Sequence, residues 1–307
     1  MRNYKVLWFD DEHEKFQSIK DEAILENIQL IGYTNSDEGG VELRRNFKDY
    51  DAILLDGLFL QKKNQKGTDL KQTAFGEIAK ILTELKAKGF PIPWFIYSGQ
   101  PSFVKDSNTI VDIFKDSAFA KGKVFDKNKD DDFVELLAEI KNAADTNPVR
   151  KIKLAYPDIF EIFDSGLLPE ETEAELLDVF QELDKPDDID FKAVLTKMRS
   201  VQEKIFIKLD NIGVLQGQSF FTQKAKHLSG NISRNGNGDY VPTSVVYQSS
   251  EIENLQKWVY YTCGTYIHAL QQQHYGGYMI SKYSLKSMFF GLLELLLWFK
   301  KTYSDNK

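Results

Sequence analysis

Cysteine is almost absent. Cys263 is the single thiol in 307 residues, which excludes a disulfide framework and a cysteine-built zinc or iron–sulfur centre and fits a reducing compartment. Histidine is scarce as well, with four in the chain. His227, His268 and His274 do not share metal-ligand spacing, so zinc is not expected. Long apolar runs are missing: the longest, Met288 to Phe299, covers twelve residues and contains Glu294, short of the roughly 20 a membrane span needs. It reads as a buried helix. The beginning, MRNYKVLWFDDEHEK, has no basic region leading into a long apolar core and a small-residue cleavage site. Neither secretion nor a membrane association is expected, and the expected location is the cytoplasm.

Glycine-rich ligand loops are also lacking. Ser229 to Thr243, punctuated by Gly230, Gly236, Gly238 and Pro242, has neither the alternating acids of a calcium loop nor the lysine-ended glycine pattern of a phosphate loop. It reads as a loop in which Asn235-Gly236 suits a tight turn.

What is present is ordinary globular composition, 42% hydrophobic and 28% charged. With the length, it points to about two domains and excludes collagen, coiled coil and wholesale disorder. The net charge of −7 is unevenly spread: residues 1–147 carry −5, Pro148 to Asp190 carries −9, and Phe191 to Lys307 carries +7. The last segment is basic.

The first 147 residues alternate between apolar runs and amphipathic stretches. Val6-Leu7-Trp8-Phe9 predicts a strand ending in Asp10-Asp11-Glu12, followed by a helix that runs through Asn27. Ile28 to Tyr33 is a second strand, Glu38 to Phe47 a short helix, and Ala52 to Leu55 a continuously apolar strand ending at Asp56. Phe75 to Lys88 is a helix closed by Gly89, and Pro91 to Tyr97 a strand ending in Ser98-Gly99. Val104 to Phe119 is helical by pattern, Lys123 to Phe125 a short strand ending at Asp126-Lys127, and Asp130 to Ala144 a helix with acids at its N-terminal end. Five strands alternating with five helices predict an α/β fold, a doubly wound five-stranded parallel sheet. Ligands of such sheets bind outside the carboxyl ends of the strands, where the strand order reverses. Asp10, Asp11, Asp56, Ser98 and Lys127 all leave those ends.

Carboxylates gathered at one edge repel one another unless a hard cation sits among them, and all-oxygen ligands predict Mg²⁺. A lysine and a hydroxyl beside such an ion are what a transferring phosphoryl group needs, and a carboxylate can accept it as an acyl phosphate.

VLWFDDE, AILLDGL, PWFIYSG and VFDK, in this order, resemble the receiver domain of two-component response regulators, over about residues 1–147. The resemblance implies a flavodoxin-like receiver with Asp56 as phosphoacceptor and a sensor histidine kinase as partner. Asp10 and Asp11 would be the acidic pair that holds Mg²⁺, completed by Asp56 and the main-chain carbonyl of Leu58. Ser98 would be the switch hydroxyl, and Lys127 the lysine that pairs with the phosphoryl group. The chain departs from the pattern at Gly57 to Gly67, where the loop lacks the family's proline and is longer. Asn128 stands where the family has proline, and Val124 where many receivers have a switching aromatic. Phe125 faces the other side of the sheet by strand alternation.

Residues 148–307 are read as an all-helical output domain, with an acidic segment 158–190 that includes Glu170, Glu171, Glu173, Glu175 and Asp178, and a basic segment 191–307. Helical spacing runs through Phe191 to Leu209, Ile252 to Gln271 and Tyr283 to Tyr303. The stretches Lys197 to Phe206 and Trp258 to His268 resemble the helical HEPN class, found in many RNA-targeting proteins. Nuclease members of that class have an arginine a few residues before the histidine, and Tyr261 to Ile267 contains none. The resemblance therefore implies a non-catalytic domain, and His268 reads as a packed helix residue. Dense aromatics fit core packing or a dimer face. With Lys224, Lys226, Arg234, Lys282 and Lys286 they also fit a nucleic-acid surface.

These residues imply a signalling regulator, phosphorylated on Asp56 with Mg²⁺, that self-pairs and controls a helical domain binding protein or RNA. A receiver-regulated ribonuclease would need an arginine, Arg199 or Arg234, brought near His268. A DNA-binding regulator would need a polar, basic recognition helix, whereas the longest helices here are apolar.

Overall fold

Five consecutive segments rich in aliphatic and aromatic side chains become the strands of one sheet: β1 (Tyr4–Phe9), β2 (Ile28–Tyr33), β3 (Ala52–Leu55), β4 (Trp94–Ser98) and β5 (Val124–Asp126). All pairings are parallel and the order is β2-β1-β3-β4-β5. The doubly wound α/β fold expected from the alternation is therefore present, with the order reversing between β1 and β3. The computed structural model describes residues 3–63, 65, 72–100, 122–215, 217–231, 233–234, 240–241, 245–268 and 280–307. The expected helix Val104–Phe119 lies outside these residues, as does the Asn235-Gly236 turn. The chain divides into two compact units, Met1–Lys151 and Ile152–Lys307.

In the first unit, β1, β3 and β4 are buried along nearly their whole length, as central strands covered on both faces must be. Strand alternation sorts the core. Val6, Trp8, Ala52, Leu54, Phe95, Tyr97 and Phe125 form one cluster with Phe133, Leu136 and Ile140. These last three belong to α4 (Asp130–Thr146), and Phe16, which precedes α1 (Gln17–Leu25), and Ile19 within it pack against the same cluster. On the other face Phe9 meets Phe59 at 5.6 Å and Trp94 meets Phe75 of α3 (Gln72–Ala87) at 5.9 Å.

Helix α2 (Ser36–Asn46) begins two residues before the expected Glu38 because Asn35 caps it. The Asn35 side-chain oxygen accepts from the Glu38 main-chain amide at 2.8 Å, which satisfies one first-turn donor, and its Nδ2 donates to the Glu38 carboxylate at 3.0 Å, which holds the cap in place. The same start receives the chain after β3. Ser36 and Asp37 donate to the carbonyls of Leu60 and Gln61 at 2.9 and 3.1 Å, and Asn35 and Leu60 form a parallel bridge.

The second unit is helical, with α5 (Pro148–Ala155) spanning the division and followed by α6 (Pro157–Asp164), α7 (Glu170–Asp184), α8 (Phe191–Asn211), α9 (Phe221–Leu228), α10 (Ser250–His268) and α11 (Lys282–Asn306). Helix α8 packs against α7, α10 and α11. Its buried residues, Val194, Leu195, Met198, Val201, Gln202, Ile205, Phe206 and Leu209, recur at helical spacing. The loop expected over Ser229–Thr243 contains a small antiparallel pair, β6 (Ser233–Arg234) with β7 (Tyr240–Val241). Strands of two residues each are too short to show a hydrophobic alternation. No helix is long and apolar enough to cross a membrane among the described residues.

Candidate functional site

The parallel register brings Asp10, Asp56, Ser98 and Lys127 to one edge. Phe9 pairs with Leu55, Leu55 with Ile96, and Ser98 with Asp126, so each residue leaves its strand beside the next. The Asp56 amide donates to the Phe9 carbonyl at 2.8 Å and the Lys127 amide to the Ser98 carbonyl at 3.2 Å. Asp10, Asp56 and Lys127 continue the alternation of Trp8, Leu54 and Phe125, which sets their side chains toward the α1 and α4 face.

There the Lys127 ammonium donates to Asp10 Oδ2 and to Asp56 Oδ2, both at 2.6 Å. All three side chains are almost fully buried, at 7% exposure for Lys127, 0% for Asp10 and 8% for Asp56. The remaining Asp10 oxygen accepts the Glu12 amide at 2.8 Å and the remaining Asp56 oxygen the Gly57 amide at 2.6 Å. The Ser98 hydroxyl is buried beside Asp56 and favours the charged form of its carboxylate. Asp11 sits half-buried beside them, and the three aspartates each present an oxygen within 4.8 Å of the others. Leu58 lies two residues beyond Asp56, half-buried in the bend before the Leu60 bridge.

The electrostatics are unbalanced. Three carboxylates face one ammonium. Burial pushes the Asp56 carboxyl up, an effect that Lys127 opposes and Asp10 reinforces. Burial alone would lower Lys127, but Asp56 and Asp10 hold it above its ordinary value, so it stays protonated. Burial, with Asp10 and Asp56 adding to it, raises Asp11 to about 6. Among the described residues the cluster carries two uncompensated negative charges on hard oxygen donors, which match a divalent cation such as Mg²⁺ in both charge and ligand type.

Several contributors were not singled out in the sequence. The Phe16 and Tyr97 rings flank the Lys127 ammonium at 5.4 and 5.8 Å; the signal for Tyr97 was its parity, two residues after Phe95 on the same face. Asn128, noted in the sequence only as a departure from the receiver pattern, donates from its side chain to the Gly99 carbonyl at 3.1 Å and to Asp126 at 3.0 Å, tying the loops after β4 and β5 together. Glu77 of α3 accepts from Ser36 at 2.6 Å and Gln61 at 2.5 Å, which fastens the loop after Asp56. His13 is buried against Gly32, where any Cβ would come within 2.2 Å of the imidazole. Phe125 is fully buried and meets Phe95 edge-on at 6.4 Å, while Val124 is half-buried.

In the helical unit, the Arg199 guanidinium donates to the Tyr260 carbonyl at 3.1 Å and to Glu203 at 2.8 Å. Tyr260 precedes His268 by eight residues of α10, about 12 Å of helix. Arg199 is therefore tied to α10 about two turns before that histidine. The side chains of His268 and Arg234, and all of His274, lie outside the described residues.

No family model matches the chain, and no curated protein matches it. Among solved structures, a response regulator receiver domain protein from Clostridium thermocellum aligns at 18% identity with a TM-score of 0.33, over 46% of this chain and 94% of that one.

Proposed function

We propose that the first unit is a phosphoacceptor switch in which Asp56 takes a phosphoryl group from a sensor histidine kinase, and that the helical unit is the output it controls. The observation that carries this reading is the cluster of three aspartates with one shared ammonium at the carboxyl edge of the sheet. An Mg²⁺ ion held by Asp10, Asp11, Asp56 and the Leu58 carbonyl would neutralise and orient phosphoryl oxygens.

Asp56 is the acceptor of the three. Asp10 is fully buried, whereas Asp56 keeps 6% exposure and is paired with Lys127; Asp11 has no contact with Lys127 among those described. An Asp56 oxygen attacks phosphorus, the new O–P bond forms as the donor's P–N or P–O bond breaks, and the leaving group departs with the electron pair. Lys127 turns from the carboxylate to the phosphoryl oxygens, whose charge it offsets. Ser98, buried beside Asp56, donates to the transferred group. The added charge replaces the Lys127–Asp56 pair and biases the arrangement of the surrounding loops.

Incubation with acetyl phosphate and Mg²⁺, read by intact mass, tests this. One phosphoryl group is gained by the native chain and none by Asp56→Asn. Absence of uptake from acetyl phosphate and from phosphoramidate alike overturns the proposal.

A further inference from the structure

The helical unit contains a second charged site, unconnected with the aspartates. A cavity of about 260 Å³ lies between α8, α9 and α10, lined by Arg199, Glu203, Phe206, Phe221, Lys224 and Tyr260 among others. Its floor is a three-layer stack. The Arg199 guanidinium lies 3.4 Å from the centre of the Tyr260 ring, which itself stacks on Phe221 at 3.7 Å and 9°. Stacking and the bonds to the Tyr260 carbonyl and Glu203 hold the guanidinium in place. Arg carries five N–H donors, so three remain for an anion in a preset geometry.

The second cation is Lys224, which lies 5.4 Å from the Phe206 ring and has no carboxylate partner among the described residues. Glu203 offsets one of the two positive charges, and one is left over. Two exposed rings neighbour the lining residues, one in sequence and one by ring contact. Phe220, next to the lining Phe221, is 66% exposed, and Tyr261, whose ring is 5.5 Å from Phe221, is 49% exposed. Cations within a groove and exposed rings next to its lining residues are the combination that suits a single-stranded nucleic acid, whose phosphate needs charge and whose unpaired bases need flat apolar faces. A carboxylate or phosphate on a peptide would use the cations but leave the exposed rings without a stacking partner.

We infer that Arg199 and Lys224 bind a backbone phosphate of single-stranded RNA or DNA while its neighbouring bases stack on Phe220 and Tyr261. The site belongs to the helical unit alone and does not depend on the chemistry of Asp56. Glu203 is its antagonist, since it competes with the phosphate for Arg199.

The test is fluorescence anisotropy of the full chain with labelled oligouridylate and oligothymidylate of about 12 nucleotides, within the usual single-strand site size, at several salt concentrations. Lys224→Gln weakens binding and reduces the salt slope by about 1. Phe220→Ala, at an exposed position that folding does not need, weakens it about tenfold or more. Glu203→Gln tightens it. No binding of either probe at low salt overturns the inference, as does binding that Lys224→Gln and Phe220→Ala leave unchanged. Capture of a phosphoserine peptide in place of both oligonucleotides also overturns it and assigns the groove to a protein partner.

Discussion

Replacing Asp11 by Asn separates the cost of the aspartate cluster from its use. Asp11 lies within 4.8 Å of both other carboxylates, and like charges at that distance repel by ~3 kcal/mol per pair at an effective dielectric constant of about 20. The rise of its pKa from 3.8 to about 6 corresponds to a similar ~3 kcal/mol. Asp11 is only half-buried, so water screens much of this, and ~1 kcal/mol is the expected net penalty. The sign follows from the raised folded-state pKa. The folded chain binds the proton more tightly than the unfolded one, so the penalty is fully present above pH ~6 and fades as pH falls toward ~4. Without metal at pH 7.5, Asp11→Asn is therefore more stable than the native chain by ~1 kcal/mol, a gain of about 2–4 °C in calorimetry, and the difference closes near pH 4. Mg²⁺ reverses the order: at about 100 times its dissociation constant it stabilises the native chain by ~3 kcal/mol, and the variant by much less. A variant less stable than the native chain in a chelator, or equally stabilised by Mg²⁺, refutes the reasoning.

Lys127→Ala strands Asp10 and Asp56 as buried, unpaired charges; it costs ~3–5 kcal/mol in urea unfolding, and Mg²⁺ restores part of the loss. Gly32→Ala drives a methyl group into the buried His13 ring and costs ~1–3 kcal/mol in the same assay. Cys263 is buried, and burial pushes its thiol up to about 12. It is inert to a disulfide reagent at pH 8 in the folded chain and reacts fully on unfolding, as thiol titration with and without denaturant shows.

The sheet and its carboxyl edge were legible because buried parallel strands are continuous apolar runs and the polar residue that follows each must lie at its end. Asp10, Asp56, Ser98 and Lys127 needed only that rule and the strand order to meet. The pairing of Lys127 with Asp10 as well as Asp56 was not legible, since it depends on side-chain reach across three strands. The Asn35 cap could have been found from the Asn35–Glu38 spacing, that of a capping residue followed by Glu three positions on. The tie from Asn128 to Gly99 and the Glu77 clasp join loops that are distant in sequence and have no periodicity. In the second half, long helices such as α8 and α11 announced themselves by their buried stripes. The groove at Arg199 did not, because it assembles from three helices whose contacts no local pattern encodes.

Borohydride reduction after treatment with acetyl phosphate and Mg²⁺ locates the acyl phosphate at its carbon atom, because hydride converts that one carboxyl to an alcohol. Peptide mass spectrometry is predicted to find homoserine at position 56 and nowhere else. Homoserine at position 10 or 11, or at no aspartate of the cluster, would contradict the assignment of Asp56 as the acceptor.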